Sequence, residues 1–91
     1  MKQPDLVTAI RLYYEKTELE TQDIIELFGA SKSGATNMKK KVKQAMAEKG
    51  VKSYYPHSIN TEVAYELWGI DIEKCEQRLK RLRSLKLNRE E

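Results

Sequence analysis

The stretch TQDIIELFGASKSGATNMKK, residues 21–40, contains a corner that constrains the whole fold. Apolar residues at helical spacing end at Phe28, and a second helical pattern begins a few residues after Gly29. Glycine commonly ends a helix because it takes the left-handed conformation without strain. The sequence therefore predicts two helices that meet in a short turn, with acidic residues before the turn and lysines after it.

The apolar spacing around this corner is typical of a helix-turn-helix unit, in which two helices cross steeply. The positions that such a unit buries, or on which it turns, are occupied by Ile24, Phe28, Gly29, Ala35 and Met38. Ala30 is small enough to fit into the turn. Ile25 departs from the pattern, since many such units carry alanine there, and it implies a wider crossing or a side chain rotated into the core.

Five helices in all are expected from caps and apolar periodicity, and the two at the corner are the second and third. The first begins after Asp5 and fades near residues 15–18, and Thr21 is the expected N-cap of the second. The remaining expected boundaries are Ser31 or Ser33 to about Lys49 with a stop at Gly50, Asn60 or Thr61 to Gly69, and Asp71 onward. The expected apolar stripe of the last helix is Ile72, Cys75, Leu79, Leu82 and Leu85.

Residues 51–58, VKSYYPHS, are expected to be extended, because Pro56 disfavours helix at Tyr55. One short strand fits there, whereas the segment is short for a two-stranded hairpin. The predicted fold is therefore all-α, a small bundle of about five helices that contains a helix-turn-helix. Residues 1–70 form the helix-turn-helix domain, and residues 71–91 form a C-terminal helix for packing or dimerisation.

The charge alternates in blocks along the chain. Residues 32–52 carry seven lysines against one glutamate, net +6, although the whole chain is only +3. Residues 78–91 carry six basic residues against two glutamates, net +4. Such asymmetry indicates a polyanionic partner.

Over residues 20–46 the chain resembles the helix-turn-helix superfamily of DNA-binding regulators, in particular bacterial and phage regulators and excisionases. The resemblance is carried by the corner residues named above and does not extend to residues 51–91. It implies sequence-specific binding of double-stranded DNA, with a recognition helix at about 32–49 in the major groove. A transcriptional regulator of phage or mobile-element type is the function it favours.

The residues that this resemblance assigns to DNA contact are Thr21, Ser31, Lys32, Ser33, Thr36, Asn37, Lys39, Lys40, Lys41, Lys43 and Gln44. Asn37 has the chemistry to pair with adenine, Thr36 to touch a thymine methyl, and a lysine to read guanine. Lys39, Lys41 and Lys43 are better suited to phosphates. Thr21 and Ser31, at helix starts, offer hydroxyl and backbone N–H groups to phosphate.

Two alternatives stay open at this point. A lysine triplet at 39–41 is often only a solvated helix face, although acids are nearly absent between residues 27 and 61. The chain is alternatively a small helical protein–protein adaptor or a phage packaging or recombination component, whose basic face meets an acidic protein. The last helix either packs on its own domain or forms a homodimer contact.

Catalysis is not expected. His57 and Cys75 are each the only residue of their type, and no metal-ligand cluster, glycine-rich phosphate loop or acid–base pair emerges. No cofactor or metal is therefore predicted. For Tyr54 and Tyr55, we expect one ring to close the core beneath the third helix; the alternative is that both lie along a DNA backbone.

The absence of an apolar run of about 18 residues predicts no membrane span. The single cysteine excludes an internal disulfide, which fits a reducing, cytoplasmic setting.

Overall fold

The computed structural model describes residues 4–89 and contains five α-helices and a two-stranded sheet within that range. In chain order the elements are α1 (Leu6–Glu15), β1 (Glu18–Leu19), α2 (Thr21–Phe28), α3 (Lys32–Lys49), β2 (Ile59–Asn60), α4 (Thr61–Trp68) and α5 (Ile72–Arg89). The expected small all-α bundle of about five helices is confirmed.

The helix boundaries follow the polar caps and glycines. The side chains of Asp5, Ser31 and Asn60 each accept a hydrogen bond from a backbone N–H in the first turn of α1, α3 and α4. Asp71 does the same at the start of α5, where Oδ1 accepts from the backbone of Glu73 at 3.0 Å. Gly50 and Gly69 end α3 and α4 as expected.

The sequence prediction of the N-cap of α2 was wrong. Glu20, not Thr21, is the capping residue, and Thr21 is already the first helical residue. The backbone N–H of Glu20 donates to the Asp23 carboxylate at 2.8 Å. Asp23 is buried and also accepts from Lys16 Nζ at 2.8 Å, so the start of α2 is fixed by a satisfied carboxylate rather than by a hydroxyl cap.

The core gathers one face of each of the first four helices and both short strands. Its buried apolar residues are Ala9, Leu12, Leu19, Ile24, Leu27, Phe28, Ala35, Val42, Met46, Ile59, Val63, Ala64 and Tyr65. Tyr65 is the largest fully buried side chain, and its hydroxyl donates to the Ala9 carbonyl at 2.6 Å. That bond satisfies the only polar group of the ring, and burial raises the pKa of Tyr65.

The strands pair antiparallel, with Glu18 opposite Asn60 and Leu19 opposite Ile59. The strand expected within residues 51–58 therefore begins just beyond them, at Ile59. The backbone N–H of Thr61 continues the pairing by donating to Thr17 at 3.0 Å. This small sheet joins the α1–α2 connection to the start of α4 and fixes the C-terminal end of the segment between α3 and α4.

Helix α5 packs against α1. Its half-buried apolar residues are Ile72, Cys75 and Leu79. Leu82 and Leu85, expected on the same stripe, are 46% and 59% exposed and border a shallow groove with Pro4 and Leu6 at the start of α1. The molecule is accordingly elongated, with principal extents of 51 × 25 × 20 Å.

Within residues 4–89, no helix combines the length and the apolar character needed to cross a membrane.

Candidate nucleic-acid interface

The corner between α2 and α3 consists of Gly29, Ala30 and Ser31. Gly29 has φ +64°, and its N–H donates to the Ile25 carbonyl at 2.8 Å, which closes α2. Phe28 is buried before the corner, and Ala35 is fully buried after it. The expected turn between two separate helices is present, and its position aims the start of α3 away from α2.

The other residues around the corner also occupy the expected places. Ile24 is fully buried, and Met38 is half-buried against the core. Ile25, which departs from the usual alanine, is half-buried and packs at the core edge. The Phe28 ring meets Trp68 edge-to-face at 5.1 Å, which fixes α4 behind the corner.

The outward face of α3 is a polar row at helical spacing. Ser33, Asn37, Lys40 and Gln44 are all exposed, and their intervals of four, three and four residues place them on one side of the helix. The opposite side carries Ala35, Val42 and Met46, which are buried in the core. The row is therefore presented to solvent by a helix whose rotation about its own axis is fixed by packing.

Thr36 and Lys39 lie on the flank of α3 that faces α2. The Thr36 hydroxyl donates to the Lys32 carbonyl at 2.8 Å, so its donor is used within the helix. Lys39 is half-buried, and its Nζ donates to the Thr21 hydroxyl at 3.4 Å. Burial, with a smaller contribution from the Lys43 charge, lowers the pKa of Lys39. The structure thus brings Thr21 and Lys39 together at one edge of the row.

Lys41 lies on the other flank of α3, which faces α4. Together with Gln44 it borders a cleft whose apolar lining includes Ala45, Leu67 and Trp68. Ser31 is exposed, and its hydroxyl accepts from the backbone of Gly34 at 3.1 Å as the cap of α3, which leaves its own O–H as a donor. The start of α3 also presents the exposed hydroxyl of Ser33 and the ammonium group of Lys32.

The charge of this face is largely uncompensated. Among the lysines of α3, only Lys49 forms an ion pair within the described part of the chain, with Glu66 at 2.8 Å. The other five α3 lysines have no such partner there: Lys32, Lys39, Lys40, Lys41 and Lys43. Such a one-sided set of cations attracts a polyanion and is screened by salt.

The segment between α3 and β2 adds a second exposed surface, for which the sequence left two interpretations open. Tyr54 and Tyr55 are 89% and 69% exposed, so the expectation that one of them closes the core is wrong. Lys43 Nζ donates to the Pro56 carbonyl at 2.5 Å, which joins this segment to α3. The YYP sequence signalled a break in regular structure but not the side to which the rings point.

The remaining reactive side chains lie elsewhere. Cys75 is half-buried on α5, and burial raises the pKa of its thiol, which lowers the thiolate fraction near neutral pH. His57 is exposed in the segment after α3. Among residues 4–89, no three His, Cys, Asp or Glu side chains are grouped so that they could hold a metal ion.

Comparison of the chain with protein-family models, with curated proteins and with solved structures gave no match.

Proposed function

We propose that this protein binds double-stranded DNA in a sequence-specific manner, with α3 in the major groove. The observation that carries the proposal is the exposed row of Ser33, Asn37, Lys40 and Gln44 on a helix that packing and the Gly29 corner hold in place. A major groove about 12 Å wide admits a helix of this kind.

The exposed residues of α3 divide into those that would contact bases and those that would contact phosphates. Asn37 is exposed and has both an amide donor and a carbonyl acceptor, the pair of groups that adenine requires. Lys40 beside it suits guanine or a phosphate. Lys32, Lys39, Lys41 and Lys43 lie toward the flanks, where they suit phosphates and fix register without reading sequence.

The biological role we propose is transcriptional regulation of phage or mobile-element type, in the cytoplasm and without a cofactor. This rests on the helix-turn-helix resemblance of residues 20–46 and on the binding face. The polar row is suited to recognition, and catalysis is not part of the proposal.

The proposal extends to a homodimer formed through α5. Leu82 and Leu85 are exposed and share a shallow groove with Pro4 and Leu6. Two copies of α5 packed antiparallel about a two-fold axis that passes between Leu82 and Leu85 would cover both leucines of each copy. Such pairing would present two α3 helices to one duplex.

A direct test is a titration of labelled random-sequence duplex by fluorescence anisotropy at moderate salt, followed by selection of bound sequences from a random pool. The expected result is weak general binding, with a logarithm of affinity that falls linearly with the logarithm of salt concentration, and enrichment of a short motif. Saturation without any enriched motif would remove sequence specificity, and no binding even at low salt would remove the proposal.

A second candidate, a protein–protein adaptor, is favoured by the cleft between α3 and α4. Leu67 is 48% exposed there, next to the half-buried Trp68, and Lys41 and Glu48 both border the apolar surface. This combination suits an apolar peptide. Absence of duplex binding, together with a change in Trp68 fluorescence on addition of such a peptide, would favour this candidate over DNA binding.

A further inference from the structure

The segment 51–58, here named the tyrosine loop, exposes two large aromatic side chains side by side. Tyr54 and Tyr55 are among the most exposed large apolar residues, and neither hydroxyl has a hydrogen-bond partner among residues 4–85, whose side chains the structure describes. Exposed aromatic rings contribute nothing to core packing. Adjacent rings with free hydroxyls are typical of a contact surface that is covered when a partner binds.

The tyrosine loop is held in place by one carboxylate. The Glu18 side chain on β1 accepts from the backbone N–H of Tyr54 at 3.0 and 3.1 Å, and from the Ser58 hydroxyl at 2.9 Å. Ser58 is buried, and its carbonyl accepts from the Ser53 hydroxyl at 2.8 Å. Both ends of the exposed turn are therefore fixed. The conformational entropy of the turn is already lost on folding, so binding a partner does not have to order it.

The tyrosine loop is also continuous with the basic face of α3. Besides the Lys43–Pro56 hydrogen bond, a shallow groove between the two elements is lined by Lys43, Ala47, Lys52 and Tyr55. Lysines thus stand on both sides of the groove, and the loop sequence VKSYYPHS contains no acid. The nearby carboxylate of Glu18 is already occupied by its hydrogen bonds to the loop.

From this arrangement we infer that the tyrosine loop is a second DNA-contacting element, which holds backbone phosphates beside the groove that α3 enters. The inference rests on the proposed function and adds residues that the helix-turn-helix pattern does not include. The Tyr54 and Tyr55 hydroxyls donate to phosphate oxygens, and Lys52 and Lys43 supply charge. Contacts of this type position a protein on the duplex and do not read bases.

The first test replaces only the two hydroxyls. The Tyr54→Phe/Tyr55→Phe variant should bind every duplex sequence about tenfold more weakly, with an unchanged slope of log affinity against log salt, because no charge is lost. Lys52→Ala should instead reduce the magnitude of that slope by about one, as expected for one lost phosphate contact. Tyr14→Phe is the comparison variant: the Tyr14 hydroxyl donates to Glu76 on α5 and not to the loop, so this variant should bind DNA like the wild type.

The outcomes separate the inference from the proposed function. If the wild type binds duplex and the double phenylalanine variant binds equally well, the tyrosine loop does not contact phosphate, while DNA binding by α3 stands. If the wild type binds no duplex, both fail. A loss of affinity confined to one DNA sequence would also overturn the inference, since it would mean that the rings read bases.

A second test uses the sign of an electrostatic effect. Removing the Glu18 carboxylate takes a negative charge away from the DNA-facing side, which by electrostatics alone strengthens binding. If Glu18 acts by positioning the tyrosine loop, Glu18→Ala weakens binding severalfold, whereas Glu62→Ala, which removes an exposed acid of α4, does not. Urea unfolding of each variant shows whether the fold is retained. Affinity of Glu18→Ala equal to or above that of the wild type would overturn the positioning role, and the double phenylalanine variant tests the contact independently.

Discussion

Lys43 and Pro56 are joined by a hydrogen bond of 2.5 Å between the lysine ammonium and the proline carbonyl, although thirteen residues separate them in the chain. The bond makes α3 and the tyrosine loop one continuous surface, fixed on its far side by Glu18. A basic helix and a pair of exposed tyrosines are thus held at a constant relative position, as a rigid duplex requires of a protein that contacts both its groove and its backbone.

Asn37→Ala should relax sequence preference more than it weakens general binding. In the proposed complex the exposed Asn37 amide reads a base, and loss of a bidentate base contact costs about 1–3 kcal/mol of discrimination. Selection from a random pool by this variant should recover a motif that has become degenerate at one position.

Thr36→Val is the comparison for Asn37→Ala. The Thr36 hydroxyl is already donated to the Lys32 carbonyl, and valine keeps a methyl group for thymine, so its effect should be smaller. An undiminished motif with Asn37→Ala would show that another residue reads the base.

Gly29→Ala should lower the free energy of unfolding by about 1 kcal/mol, because an L-residue is strained at φ +64°. No atom lies within 4 Å of an added Cβ, so this cost comes from backbone conformation and not from a clash. Gly29→Asn should lose less, since asparagine tolerates the left-handed region. Equal urea midpoints for the alanine variant and the wild type would contradict the left-handed corner.

The cap of α1 should make stability depend on pH at the acidic end. Hydrogen bonds from the Thr8 hydroxyl and backbone lower the pKa of Asp5 from its ordinary value of 3.8. The contribution of the ionised cap is therefore complete above that value and is lost as pH falls through the lower pKa of the folded state.

Asp5→Asn is the matched control for this pH effect, because asparagine caps a helix about as well and does not titrate. The difference in unfolding free energy between the wild type and Asp5→Asn should be constant from pH 5 to 7 and should shift against the wild type below about pH 4. A difference that does not vary with pH would contradict the proposed cap. The Asp5 N–H also donates to the Leu27 carbonyl at 2.8 Å, so the cap connects α1 to the end of α2.

Leu82→Glu/Leu85→Glu should dissociate the proposed homodimer, because it places charges where two α5 helices meet. Ser84→Glu changes an exposed residue of the same turn and should leave the association intact. Sedimentation equilibrium across a range of concentrations is the measurement. A wild type that remains monomeric at high micromolar concentration would overturn the dimer without affecting the contact of one α3 with DNA.

Much of the helical architecture could be predicted because residues close in sequence determine where each helix begins and ends. Gly29, Gly50 and Gly69 mark helix ends, and Asp5, Asn60 and Asp71 mark starts through side chains that cap the following turn. The polar row of α3 follows from the same periodicity, since it lies opposite the buried stripe. Its function as a DNA-reading face remains a prediction.

The features that could not be predicted depend on contacts between distant residues. The start of α2 depends on Asp23, whose burial follows from its pairing with Lys16. The two-residue strands are too short for any alternating pattern, and their pairing joins residues about forty apart. The position of Tyr54 likewise depends on a distant residue, since its backbone N–H donates to Glu18. A hydrogen bond between segments so far apart in the chain produces no periodic pattern in either of them.

The most direct measurement of DNA recognition by α3 is the duplex affinity of a charge-reversal variant, Lys40→Glu/Lys43→Glu, compared with Lys74→Glu/Lys80→Glu on α5. Both pairs are exposed, and both variants change the net charge equally. If α3 lies in the groove, the first variant should lose about a hundredfold or more in affinity at moderate salt, because two cations at the interface become anions, and the second should lose far less. Equal losses for the two variants, or unchanged binding by the first, would contradict the assignment of α3 as the helix that meets DNA.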